Sequence, residues 1–149
     1  MKSIFNLADN NEFIARINSL ESSTPAQWGK MNASQMLVHL SHGIDLAIGN
    51  KKLKRKLIGF LFGGRFKKKL VTPELFAKNL PTDKSFIVHG TPDFDSSKAQ
   101  LIELVQLLQQ KGPACLTKET HPFFGTLKPS EWDALAVKHL DHHLRQFGV

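Results

Sequence analysis

The chain has a single cysteine, Cys115, among its 149 residues. That excludes an internal disulfide and a cysteine-rich zinc site. Long apolar runs are missing too: nothing approaches the ~18 consecutive apolar residues of a membrane-spanning helix. Residues 1–11 lack the apolar core of a secretory signal. A cytoplasmic protein with no integral membrane segment is therefore the expectation. A glycine-rich phosphate loop, a G-x-S-x-G elbow and an H-E-x-x-H pattern are also absent, and with them the marks of nucleotide, serine-hydrolase and zincin chemistry. What is present suffices for one domain over 1–149. Hydrophobic residues make up 41% and charged residues 22%, and a domain of this size buries roughly 68–70% of its unfolded surface.

Acid is missing from one stretch in particular. Lys51, Lys52, Lys54, Arg55, Lys56, Arg65, Lys67, Lys68 and Lys69 lie between 51 and 69 with no Asp or Glu among them. The remaining residues carry 11 basic and 13 acidic side chains, a net of −2 against the chain's +7. The high pI belongs to one segment, which argues against the whole domain being a nucleic-acid binder.

The spacing of apolar residues predicts four helices. The first runs from about residue 10 to residue 20 on Phe13, Ile14, Ile17 and Leu20, and residues 22–25 end it. The second starts from Asn32 as N-cap with Gln35 as capping-box partner, and carries Met36, Leu37, Leu40, Ile44 and Ala47 on one face. The third starts near Asp95 or Ser96, presents Ala99, Ile102, Val105 and Leu108, and stops at Gly112 and Pro113. The fourth follows Lys128 with Pro129 at its first position and extends to Phe147. Two short connections and one crossover of about 45 residues predict an all-α, up-down-down-up four-helix bundle whose second and third helices are parallel neighbours. Within the crossover, residues 51–62 suit a basic amphipathic helix with Leu53, Leu57, Phe60 and Leu61 on one side. Residues 73–80 suit a short helical turn, and residues 86–88 an extended run.

Five of the seven histidines fall in two helices. His139 and His143 are four apart, on one face of the fourth helix. A helical wheel puts both inside its apolar arc and puts His142 on the polar side with Lys138, Asp141 and Arg145. On the second helix His39 sits at the edge of the apolar arc, and His42 lies further towards solvent. Three neutral imidazoles, His39, His139 and His143, can make a metal site with open positions. Such a set suits Zn, Ni, Fe or Cu, and the alternative is three hydrogen-bonded core histidines. His121 is a candidate for the pocket mouth or a general base, against a ring that merely hydrogen-bonds its own loop. Trp132 reads as core packing, Cys115 as a loop thiol near no motif, and His89 as a residue with no recognisable partner.

Trp28-Gly-Lys-Met-Asn-Ala-Ser-Gln-Met-Leu-Val-His39-Leu resembles the second-helix signature of the DinB-like superfamily. His121-Pro-Phe-Phe-Gly125, Glu131-Trp132 and Lys138-His139-Leu-Asp-His-His143-Leu-Arg-Gln-Phe-Gly148 resemble its closing segment. Within that superfamily the likeness is to a branch known as a domain of unknown function, and it covers nearly the whole chain. The resemblance implies the up-down-down-up bundle and a divalent metal held by His39, His139 and His143. It also implies a homodimer, for which Leu57, Phe60 and Leu61 offer a local apolar surface. It further implies a thiol S-transferase-like activity on small electrophiles, with a low-molecular-weight thiol as partner. Lys128 departs from the helix-capping Thr usual before Pro129. A metal-dependent hydrolase is the competing enzyme reading. The other alternative is a non-catalytic module using the basic 51–69 segment on an anionic membrane surface or nucleic acid.

Overall fold

The computed structural model describes residues 2–54 and 57–149, and of Ile58 and Phe60 the backbone alone. Arg55 and Lys56 of the basic segment lie outside the described residues, as does the Phe60 side chain of the expected dimer surface. Among the described residues the chain is all-helical, with five α-helices, two short 3-10 helices and no strand.

Local chemistry accounts for the helix starts. Asn6 caps α1 (Leu7–Asn18) by accepting from the Ala8 and Asp9 N–H groups, which moves its start ahead of the residue-10 expectation. Asn32 and Gln35 exchange both capping-box bonds at the head of α2 (Ala33–Ala47). Asp93 accepts from Ser96 N–H and opens α4 (Phe94–Lys111). At α5 (Pro129–Gln146) the Glu131 carboxylate accepts the Lys128 N–H at 2.7 Å, so this helix is capped from its third residue without the expected Thr. These four helices are the four expected from spacing.

Their apolar stripes meet in one core of Phe13, Ile17, Met36, Leu37, Leu40, Leu101, Val105, Leu108, Leu140 and Leu144. The main packing pairs are α2 with α4, α1 with α4, α2 with α5 and α1 with α5. Helices α2 and α4, joined by the crossover, are thus neighbours. The helices joined by the shorter loops, α1 to α2 and α4 to α5, touch lightly at most. Short connections had favoured those pairs as neighbours, but the main packing pairs lie elsewhere. Polar pins lock the register: Asn10, buried, donates from Nδ2 to Ile4 O and Val105 O at 2.8 Å each. Lys98 donates to Asn18 O and Leu20 O at the end of α1, and Arg16 reaches Asp141 and Val149 O on the far side.

The crossover departs from expectation. Residues 51–54 are not helical; α3 begins later and spans Leu57–Lys68. Lys51 is held back, its N–H on Asp45 O and its Nζ on Ser85 O, and like charges at helical spacing oppose a helix there. Residues 73–80 form no helix, only a turn with Asn79 at φ 58°. The extended run expected at 86–88 loses its first residue to a 3-10 turn, Lys84–Phe86, which Asp83 caps and which ends on an extended Ile87. Lys138, placed on the polar side by the wheel, is buried and donates to Lys69 O at 2.5 Å and Glu74 O at 2.8 Å. It clamps the crossover to α5.

Helix α3 lies on the loop before α5 through its glycines. A Cβ on Gly59 would stand 2.6 Å from Pro122 O, and one on Gly63 would collide with Phe123 O, whereas Gly64 faces open space. This generates an internal comparison. Gly63→Ala is expected to cost about 1–3 kcal/mol through overpacking. Gly64→Ala, three bonds of chain away, should stabilise by up to ~1 kcal/mol through helix propensity. Urea unfolding of both variants checks this; equal effects would refute the close approach.

Candidate metal centre

Helix α2 presents His39 and α5 presents His139 and His143, one turn apart. Packing of α2 on α5 brings the three rings face to edge. Ring centroids are 4.9 Å apart for His39–His139, 4.7 Å for His39–His143 and 4.9 Å for His139–His143. One ligand nitrogen from each lies within 4.8 Å of the others. Gly43, one turn beyond His39, makes room: a Cβ there would be 2.9 Å from His139 Nδ1.

The outer nitrogens are already engaged. Gln146 donates from Nε2 to Trp28 O at 2.6 Å, which turns its Oε1 to His143 Nδ1 at 2.7 Å. His143 therefore carries its proton on Nδ1 and leaves Nε2 bare. His39 Nδ1 lies 3.1 Å from Phe86 O and must donate as well, so its own Nε2 accepts from His139 Nε2 at 2.9 Å. Carbonyl partners on Nδ1 of His39 and His143 leave the lone pair on Nε2, the tautomer that metal ligation requires. A tetrahedral ion at about 2.0–2.1 Å from each nitrogen would separate them by roughly 3.3 Å, a separation between the 2.9 Å of His39 Nε2–His139 Nε2 and the 4.8 Å within which all three lie. The three residues fit a divalent ion.

Electrostatics agree. Burial pushes His143 down to about 3, with His39 adding to the effect. Burial likewise holds His139 well below the ordinary imidazole value, with His143 and His39 adding to it. His39 is lowered by burial, partly offset by the Phe86 carbonyl. All three are neutral at neutral pH, the form that binds a metal.

The remaining candidates sort differently. His121 accepts the Phe123 and Phe124 N–H groups at 3.1 Å each on Nδ1, and burial lowers it to about 4. Its backbone pairs with Gly125, so the ring holds its loop together. Trp132 is core, packed with Leu46, Leu70 and Leu127 against the His121 ring. Cys115 donates to Gly112 O at 3.0 Å, and burial raises its thiol, so it is no activated nucleophile. Asp141 pairs with Arg16 at 2.9 Å and lies 3.9 Å from Arg145, and His89 is exposed. His42 and His142 correct the wheel. Both are half-buried. His42 Nδ1 is enclosed with no partner, because Lys51 and the crossover fold back over the end of α2. His142 sits against Trp28 at 5.7 Å and Phe76 at 6.1 Å, because the crossover covers that side of α5.

Sequence reasoning missed Gln146, the Phe86 carbonyl and Gly43. Two of these had a signal. Gln146 lies three residues after His143 and Gly43 four after His39, both on the ligand face. The Phe86 carbonyl had none, since only the fold brings the crossover there.

A family model described as "Protein of unknown function (DUF1569)" matches residues 2–148. No curated protein and no solved structure matches the chain.

The lowered histidines make stability pH-dependent. The unfolded chain takes up protons below the ordinary imidazole value of 6.5, while His121 resists until about 4 and His143 until about 3. The unfolded state binds more protons, so stability falls as pH falls from about 6.5. The urea midpoint of the metal-free chain should drop steadily between pH 7 and pH 4; a flat profile would contradict neutral buried imidazoles.

Proposed function

We propose that this chain, which belongs to the DUF1569 family of proteins of unknown function, is a divalent-metal-dependent enzyme acting on a small molecule. Its ligands are His39, His139 and His143, and its reaction is transfer of a thiol to an electrophile. One observation carries the metal reading: three imidazoles, those of His39 and His143 buried and that of His139 half-buried, converge with two of their Nδ1 protons committed elsewhere. The thiol chemistry rests on the DinB-like resemblance of the second-helix and closing motifs. An ion held there would supply a Lewis acid that favours the anionic form of a thiol.

The chain's own residues set the conditions. Gln146 and the Phe86 carbonyl hold the protons of His143 and His39 on Nδ1 and so orient the rings. Gly43 lets His139 approach α2. With three neutral ligands the ion would keep its full positive charge, which suits activation of an anionic nucleophile.

We also read the four long helices as an up-down-down-up bundle. The order of cross-helix contacts supports this. Along α1, Asn10 meets Val105 and Asn18 meets Lys98, which is antiparallel to α4. Ile4 meets Asp133 and Arg16 meets Asp141, which is parallel to α5. Trp28 meets Gln146 and Gly43 meets His139, so α2 opposes α5.

Elemental analysis of the purified chain should find about one divalent ion per chain, lost in His143→Ala and retained in His89→Ala. Equal loss from both would sink the site. Gln146→Ala should weaken metal affinity by about 10–100-fold without unfolding the chain, read by competition with a chelating dye. Metal-dependent consumption of a low-molecular-weight thiol in the presence of an electrophile, absent in His143→Ala, tests the reaction; a metal-loaded chain inert towards thiols would exclude it.

A further inference from the structure

We infer that the outward face of α3 is a docking surface for an anionic lipid bilayer. Gly59 and Gly63 turn one side of this helix onto the 122–124 backbone. The opposite side carries Leu57 and Leu61, 78% and 69% exposed, with Arg65 and Lys68 beside them at helical spacing. Phe62, Val71, Leu75 and Leu80 continue the apolar exposure along the crossover. No acid occurs between Asp45 and Glu74.

The chemistry selects the occupant. Apolar side chains interleaved with cations match an interface where acyl chains lie beneath phosphates. A second copy of this chain fits badly, because a two-fold contact sets the patch against itself and would face Arg65 and Lys68 with their like-charged equivalents. Nucleic acid matches the cations and the exposed Phe62 and Phe66 rings but not Leu57, Leu61, Val71, Leu75 and Leu80, the greater part of the apolar exposure, which have no ring face for a base. The structure contains no helix long and apolar enough to cross a membrane among the described residues, so the contact is peripheral. It is independent of the metal centre.

The test is co-sedimentation of the full chain with vesicles of phosphatidylglycerol and phosphatidylcholine, against phosphatidylcholine alone. Binding to the anionic vesicles should be about tenfold or more tighter than to neutral ones, and should weaken as salt rises. Leu57→Ser with Leu61→Ser, and separately Arg65→Glu with Lys68→Glu, should each reduce it by about tenfold while circular dichroism stays unchanged. Both pairs are exposed, so neither disturbs the core. Phe62→Trp should show a blue-shifted emission on anionic vesicles. The inference is overturned by equal binding to both vesicle types or by no binding to either. It is also overturned by a concentration-dependent dimer that the serine pair abolishes without vesicle binding, or by DNA binding that persists where vesicles are not bound.

Discussion

Three imidazoles facing one another in the interior cannot all be protonated, and most of the architecture around them follows from that. Burial and mutual repulsion hold His139 and His143 far below their ordinary range. Neutral rings still carry one N–H each, which needs an acceptor once water is excluded. His143 finds it in Gln146, and Gln146 in turn is fixed by Trp28 O. His39 finds it in Phe86 O, on the crossover. The centre thus draws on α2, α5, the segment before α2 and the crossover. Its geometry depends on all four being in place.

The crossover is held by contacts of an uncommon kind for a surface segment. Lys138, buried on α5, caps two of its carbonyls. Lys67 reaches Glu131 at 3.0 Å and Thr126 O at 2.6 Å, tying α3 to the start of α5. Gly59 and Gly63 permit α3 to approach backbone rather than side chains. Cations that look uniform in the sequence therefore divide into two groups. Lys51, Lys67 and Lys69 are paired inside the chain, and Lys54, Arg65 and Lys68 face outward. Arg65 and Lys68 of the second group share a face of α3 with the exposed Leu57 and Leu61.

Much of the helical framework is visible in residue spacing because helices are local. Asn32 with Gln35, Pro129, and Gly112 after Lys111 mark boundaries that the structure places within a residue or two. The wheel also brought His139 and His143 to an inward face and His39 to the edge of one. It failed for Lys138, His42 and His142, since a wheel treats the polar side of a helix as solvent, and here the crossover occupies that side. The helix expected at 51–62 shifted to Leu57–Lys68 because Lys51 is recruited by Asp45, Ser85 and the Phe86 ring, contacts between residues distant in sequence.

The sequence by itself determined what depends on neighbours within a turn or two: four amphipathic helices, their caps, a histidine pair at four-residue spacing and a stretch of cations without acid. Tertiary structure decided what depends on which surfaces meet. It left the helices joined by the shorter loops with little contact, closed the imidazole triangle across α2 and α5, supplied the Phe86 carbonyl, and buried Lys138. The physical reason is one of range. Backbone hydrogen bonds and helical periodicity act over three or four residues. Burial and the satisfaction of buried donors are set by groups that the chain brings together only when the core closes.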